Sequence, residues 1–146
     1  IIRSKGTINI ISINNSISDS LDVDFSNIII NSLSVNNSRN DCADFSYGVY
    51  ILDYAKLINC GDKAVSIGEK SNMKINNINV NKSFIGVASK DSSQVEIQNG
   101  SFFNSDICLS AYRKKIEFSG GKLILHDISC DKEKYYFSSD SQVIFN

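Results

Sequence analysis

The sequence has no proline, no tryptophan, one methionine and one histidine. A lone histidine, His126, cannot complete a zinc site of the usual kind. The four cysteines, Cys42, Cys60, Cys108 and Cys130, contain no CxxC pair. No metal and no cofactor are therefore expected, and the cysteines read as buried or half-buried free thiols, with a disulfide as the alternative. Charge of one sign is also missing, because 15 basic side chains face 16 acidic ones. That balance supplies no global field for nucleic acid or an anionic membrane. No purely aliphatic run exceeds three residues, as in Ile28-Ile29-Ile30, against the roughly 20 apolar residues of a membrane-spanning helix. No membrane insertion is expected. No charged segment with an apolar stretch behind it follows Ile1, so no signal peptide is read. The expectation is one domain over 1–146, a fragment of a longer chain.

What the sequence does have is 22 Ile, 24 Ser and 17 Asn, β-branched residues and turn-formers with little that favours long helices. They are ordered in a repeat. A small residue, a free position and then apolar-x-apolar recur at Gly6 to Ile10, Ser26 to Ile30, Ser71 to Ile75, Ser93 to Ile97, Gly121 to Leu125 and Ser141 to Phe145, with a weaker copy around Ala55 to Leu57. A second apolar pair follows, as Leu33 and Val35 follow Ile30 and as Ile78 and Val80 follow Ile75. A third series precedes: Val49 and Ile51, Val65 and Ile67, Ile85 and Val87, Ile107 and Leu109, Tyr135 and Phe137. Three short stretches of period-2 alternation per 20-odd residues, separated by Gly, Asn, Asp, Ser or Lys, describe a three-faced coil. A sandwich of hairpins would instead space its turns at about 8–12 residues. The fold class expected is all-β, a right-handed parallel β-helix of about six to seven coils with three short strands each. Insertions are expected near 36–47 and 112–120. Inward residues should stack like on like, with Ile67, Val87 and Leu109 in one ladder. Asparagines such as Asn76, Asn77 and Asn99 should adopt left-handed turns or bond along the stack.

On these repeats the chain resembles the right-handed parallel β-helix repeat proteins, the pectate-lyase-like class that also holds polysaccharide epimerases and phage tailspikes. More narrowly, Asp62-Lys63-Ala64-Val65-Ser66-Ile67-Gly68-Glu69, the stretch Ile85 to Ser93 and the stretch Cys108 to Phe118 are similar to repeat regions associated with spore-coat-protein-H-like and bacterial surface-polysaccharide proteins. The resemblance implies a bacterial setting, cytoplasmic or at the cell surface, and no particular reaction. No Gly-rich phosphate loop and no His-Arg-Asp loop of a kinase accompany it.

One row of turn residues offers chemistry. With coils aligned on Ile51, Ile67, Val87, Leu109 and Phe137, the positions that follow gather Asp53, Glu69, Lys70, Lys90, Asp91, Tyr112 and Arg113 into a mixed-charge ridge, overhung by residues 113–120. Carboxylates and cations answer sugar hydroxyls or uronates, and tyrosine rings answer sugar faces. An acidic glycan is thus the expected partner, beside a capping sequence or neighbouring domain over the coil ends. A solvated turn with cross-coil ion pairs would look the same in sequence. His126 has no evident partner, which argues for a surface position over a catalytic base. Asp19, Asp22 and Asp24 lack a matching spacing in the next coil and make a poor calcium site. Four Asn-x-Ser triplets, at Asn14, Asn36, Asn81 and Asn99, bear on glycosylation only in a secreted eukaryotic protein.

The function expected is a non-enzymatic module, structural or carbohydrate-interacting, within a larger bacterial surface or polysaccharide-associated protein. A polysaccharide lyase or epimerase is the alternative, and would need carboxylates repeated on one strand face with a base beside them. An adhesin or tail-fibre-like stalk is the third, and would need a broad apolar outer face, whereas Asn9, Ser34, Lys74 and Glu96 point outward.

Overall fold

The computed structural model describes residues 1–146, and every regular element in it is a strand. In chain order these are β1 (Lys5–Ser16), β2 (Leu21–Asp24), β3 (Asn27–Ser38), β4 (Ala43–Ser46), β5 (Val49–Gly68), β6 (Asn72–Lys90), β7 (Gln94–Tyr112), β8 (Lys122–Cys130), β9 (Tyr135–Phe137) and β10 (Gln142–Phe145). All pairings are parallel, and β1, β3, β5, β6, β7, β8 and β10 follow one another across a single sheet. The sheet closes on itself as a solenoid of about six turns. Residues Lys5, Asn27, Val49, Asn72, Gln94, Lys122 and Gln142 stand one above the next.

The local reason for the coil is a fault in alternation. Along β3, Ile28 and Ile30 point inward, then Asn31 and Ser32 both lie outside, then Leu33 and Val35 point inward again. Two successive outward residues turn the strand through a corner without ending it. Each coil thus has a first face (Asn27 to Ile30 in this coil), a second (Leu33 to Val35) and a third (β2, β4 and their counterparts in β5, β6, β7 and β9). The core is the set of inward columns. Ile8, Ile30, Leu52, Ile75, Ile97, Leu125 and Phe145 form one of them. Where one member is small, a neighbour is large: the ring of Phe102 occupies the space a side chain on Gly100 would need, which keeps the interior close-packed.

Two corners carry residues with positive φ in nearly every coil. One holds Asn15, Asn37, Asn59, Lys82 and Asn104; asparagine tolerates this conformation because its short amide bonds locally. Their amides bond up the stack, Asn37 Nδ2 to Asn15 Oδ1 at 3.0 Å and Asn59 Nδ2 to Asn37 Oδ1 at 2.8 Å. Asn76, Asn77 and Asn99 are not in this column. They bond across coils, Asn76 to the carboxylate of Asp53 at 2.7 Å, Asn77 and Asn99 to backbone carbonyls. The other corner holds Arg3, Phe25, Tyr47, then Glu69 and Lys70, then Asp91 and Ser92.

Several expectations need correction. No insertion exists near 36–47, because Asn27 pairs with Val49 and Tyr50 and Leu52 take the inward places of Ile28 and Ile30; the aromatic hid the repeat. The insertion at 112–120 is present, since Gln94 pairs with Lys122. Val87 stacks on Val65 and Leu109, but Ile67 stacks on Phe45 and Ser89. The slip is two residues, which preserves the inward face and changes the neighbour. The same slip puts Ile8 rather than Ile10 against Ile30, leaving Ile10 outside and exposed. Parallel pairing is carried round the corners although alternation is not, so β5, β6 and β7 each run through all three faces as one long strand instead of three short ones. At the ends of the solenoid, β1 is an edge strand with Ile8, Ile11 and Ile13 only partly covered, and Tyr136 and Phe145 are exposed.

The cysteines are not free. Cys42 bonds to Cys60 and Cys108 to Cys130, with Cα atoms 5.4 and 6.1 Å apart. Sequence separations of 18 and 22 residues are about one coil, and winding brings such positions side by side. A search for closely spaced pairs is blind to that.

Candidate functional site

Six of the seven ridge residues do meet. Lys90 and Tyr112 pair in register, and the turns Glu69-Lys70 and Asp91-Ser92 succeed each other with Arg113 beyond. They occupy the corner between the third and first faces. Asp53 is elsewhere: it lies at the corner between the first and second faces, beside Asn76. The alignment that included it took Ile51 for a third-face residue, whereas Ile51 pairs with Ile29 and Lys74 on the first face.

The gathered charges are largely engaged by the chain itself. Asp91 is fully buried, and its Oδ1 accepts the backbone N–H of Lys114 at 2.7 Å and of Lys115 at 2.8 Å. It therefore pins the overhanging segment 113–120, whose own backbone has few partners. Its Oδ2 is buried with no partner in the chain. The Lys115 ammonium lies 2.6 Å from the Glu69 carboxylate, and that hydrogen bond raises the lysine above its ordinary range. Arg113 Nε is 3.5 Å from Asp140, an exposed carboxyl lowered chiefly by the hydroxyl of Ser138. Lys90 is 6% exposed; its stem runs over Gly68, where a side chain's first carbon would stand 3.6 Å from Lys90 Cε. Lysine stems cover surface in this way while the ammonium reaches for solvent. The Tyr112 ring meets the edge of Tyr136 at 5.8 Å, and burial first, against the opposing charge of Lys63, holds its phenol above the usual range. Of the ridge, Lys70 and Arg113 are the side chains most open to a ligand, with Lys70 at 6.0 Å from the Phe118 ring.

A second arrangement was not visible in sequence. His126 Nε2 lies 3.1 Å from Glu96 Oε1, thirty residues away. Asp127, next in sequence to His126, helps line a shallow groove of about 320 Å³ with Asn77, Asn79, Asn99, Ser101 and Ser129, together with Ile78 and Gly100. Amides and hydroxyls repeat along it because Asn77, Asn99 and Asp127 share one outward column and Asn79, Ser101 and Ser129 another. The signal that could have found it is the outward parity of these columns, which the repeat defines once its register is right. No cluster of three histidine, cysteine, aspartate or glutamate side chains suited to a metal occurs in the chain. Compared with protein-family models, with curated proteins and with solved structures, the chain matches none.

Proposed function

We propose that the chain is a right-handed, non-enzymatic β-helix module, structural or carbohydrate-interacting, of a bacterial surface or polysaccharide-associated protein. The observation that carries this reading is how the charged corner uses its charges. A catalytic site keeps a base and an electrophile free to face a substrate. Here Asp91 holds a loop, Glu69 holds Lys115 and Lys90 lies flat on the coil below. The right hand follows from the right-handed twist of strands, which favours that sense in parallel crossovers. The two disulfides support a surface setting, because such bonds persist in oxidising compartments. Any glycan contact falls to Lys70, Arg113 and Tyr112 at the corner, or to the amide groove. Contacts of exposed cations are weak and fade with salt.

The test is a glycan array read with the wild type and a Tyr112→Ala, Arg113→Ala double variant, both checked for folding. Weak, salt-sensitive binding to acidic glycans that the double variant loses assigns the corner. Equal signals from both proteins leave a structural module or the groove. One observation favours the lyase or epimerase reading: His126 and Glu96 form an acid–base pair, and Asp127, next in sequence to His126, lines a polar groove with Asn99. Cleavage or epimerisation of a uronate polymer that disappears in His126→Ala would replace the non-enzymatic reading with that one.

A further inference from the structure

Different chemistries meet at one corner of the solenoid. Just before it, on the third face, Asp22 pairs in register with Asp44, and Asp24 stands beside Ser46. None of these three carboxylates has a cation within ion-pair distance, in contrast to Asp41 and Asp62, which share Lys63. Partial burial and then the nearby charges of Asp24 and Asp44 raise Asp22 above the ordinary carboxylate range. Just after the corner, on the first face, the side chains are apolar and cationic. Phe25, Tyr47 and Val49 are 53%, 40% and 56% exposed, and Ile29 is exposed beside them. Arg3 and Lys5 stand in the coil below this patch and Lys70 and Lys74 in the coil above, again with no carboxylate paired to any of them.

An apolar patch rimmed by charge marks an interaction surface, and its geometry narrows the partner. The rings of Phe25 and Tyr47 stack at 4.7 Å with 4° between their planes. That spacing is the rise between coils, about 4.8 Å, so the rings pile along the solenoid axis and turn their edges outward. A sugar ring needs a face to lie on, and the two faces turned toward each other are closed to one. Strand addition is likewise unavailable, because the backbone of these strands is committed to the coils above and below. Self-pairing of the first face about a two-fold axis would set four cations against four.

We propose that this corner is a contact between copies of the chain, in which the cationic, apolar first face of one copy packs on the acidic third face of the next. The two surfaces are complementary in charge and lie at the same height on the solenoid, so the copies stand side by side with their axes pointing the same way. Such a contact uses two different patches and repeats around the assembly. It shares Lys70 with the glycan reading but rests on the charges and rings of the lower coils, and sedimentation tests it apart from glycan binding.

Two charge-reversed variants test it, Lys70→Glu with Lys74→Glu and Asp22→Lys with Asp44→Lys. All four positions are outward, and circular dichroism checks that both variants fold. Sedimentation velocity is run at low and high salt on each variant, on the wild type and on an equimolar mixture of the two variants. The wild type should associate at low salt and separate as salt is added. Each variant alone should bind itself at least about tenfold more weakly. The mixture should regain association, because the unaltered basic first face of the aspartate variant can meet the unaltered acidic third face of the lysine variant. Self-association of either variant equal to that of the wild type would overturn the proposal and point to end-to-end stacking of open coils, which these charges do not touch. A wild type that stays monomeric at low salt would also overturn it. So would a wild type that stays monomeric yet sediments with vesicles of anionic phospholipid, which would assign the cationic patch to a membrane surface.

Discussion

Val87→Asp is expected to lower the unfolding free energy by about 3–5 kcal/mol, a loss read as a shift of the urea midpoint at unchanged slope. Val87 is fully buried between Val65 in the coil below and Leu109 in the coil above. A carboxylate there has no cation and no donor within the column, so it must either lose its charge or open the coil. Asn79→Asp, one of the outward groove positions, introduces the same charge and should change stability by less than about 0.5 kcal/mol. An unchanged midpoint for Val87→Asp would mean that the third face points the other way, since a one-residue slip exchanges every inward and outward side chain.

The next largest effect is expected from the disulfides. Cys42→Ala with Cys60→Ala should cost about 3 kcal/mol, the unfolded-state entropy that a loop of this length releases when it is opened, because the bond closes an 18-residue loop and both cysteines are buried in the middle coils. Cys108→Ala with Cys130→Ala should act differently. That bond ties Cys130, at the end of β8, to the third face of the coil before it. Its loss should therefore speed amide exchange in residues 131–146 more than in β5 or β6. Wild-type stability in the first double variant, measured without reductant, would show that the bond between Cys42 and Cys60 is not formed in the folded protein.

Most of the fold was legible because the inward face of a solenoid is written twice, once by alternation within a coil and again by recurrence from coil to coil. Ile28, Ile30, Leu33 and Val35 are readable from either. What the repeat did not disclose was which residue stacks on which. Ser89 and Ala111 occupy inward places above Ile67 without being large aliphatic residues, so an alignment built on large aliphatics moved Val87 into their row. Tyr50 hid a coil for the same reason, as its hydroxyl is satisfied inside by the carbonyls of Ser46 and Val23. The candidate site suffered accordingly. Glu69 to Arg113 were gathered correctly since each turn follows a strand of recognisable pattern, whereas Asp53 came in with the misassigned Ile51. Engagement of a charge by its own chain is not a sequence property at all: the backbone N–H groups that Asp91 accepts belong to the inserted loop, 23 and 24 residues on. The same holds for the cysteine pairs and for His126 with Glu96, which become neighbours only when the coil is wound.

Winding sets residues of successive coils in columns, and methyl-to-methyl nuclear Overhauser contacts test that directly in a sample labelled at isoleucine, leucine and valine. The inward column predicts contacts from Ile30 to Leu52, Leu52 to Ile75, Ile75 to Ile97 and Ile97 to Leu125, and on the third face from Val87 to Val65 and to Leu109. Contacts that skip a coil, such as Ile30 to Ile97, should be missing. A spectrum in which these methyls instead meet partners 8 to 12 residues away, as in hairpins, would contradict the solenoid, and strong contact of Ile67 with Val87 in place of Val65 with Val87 would contradict its register.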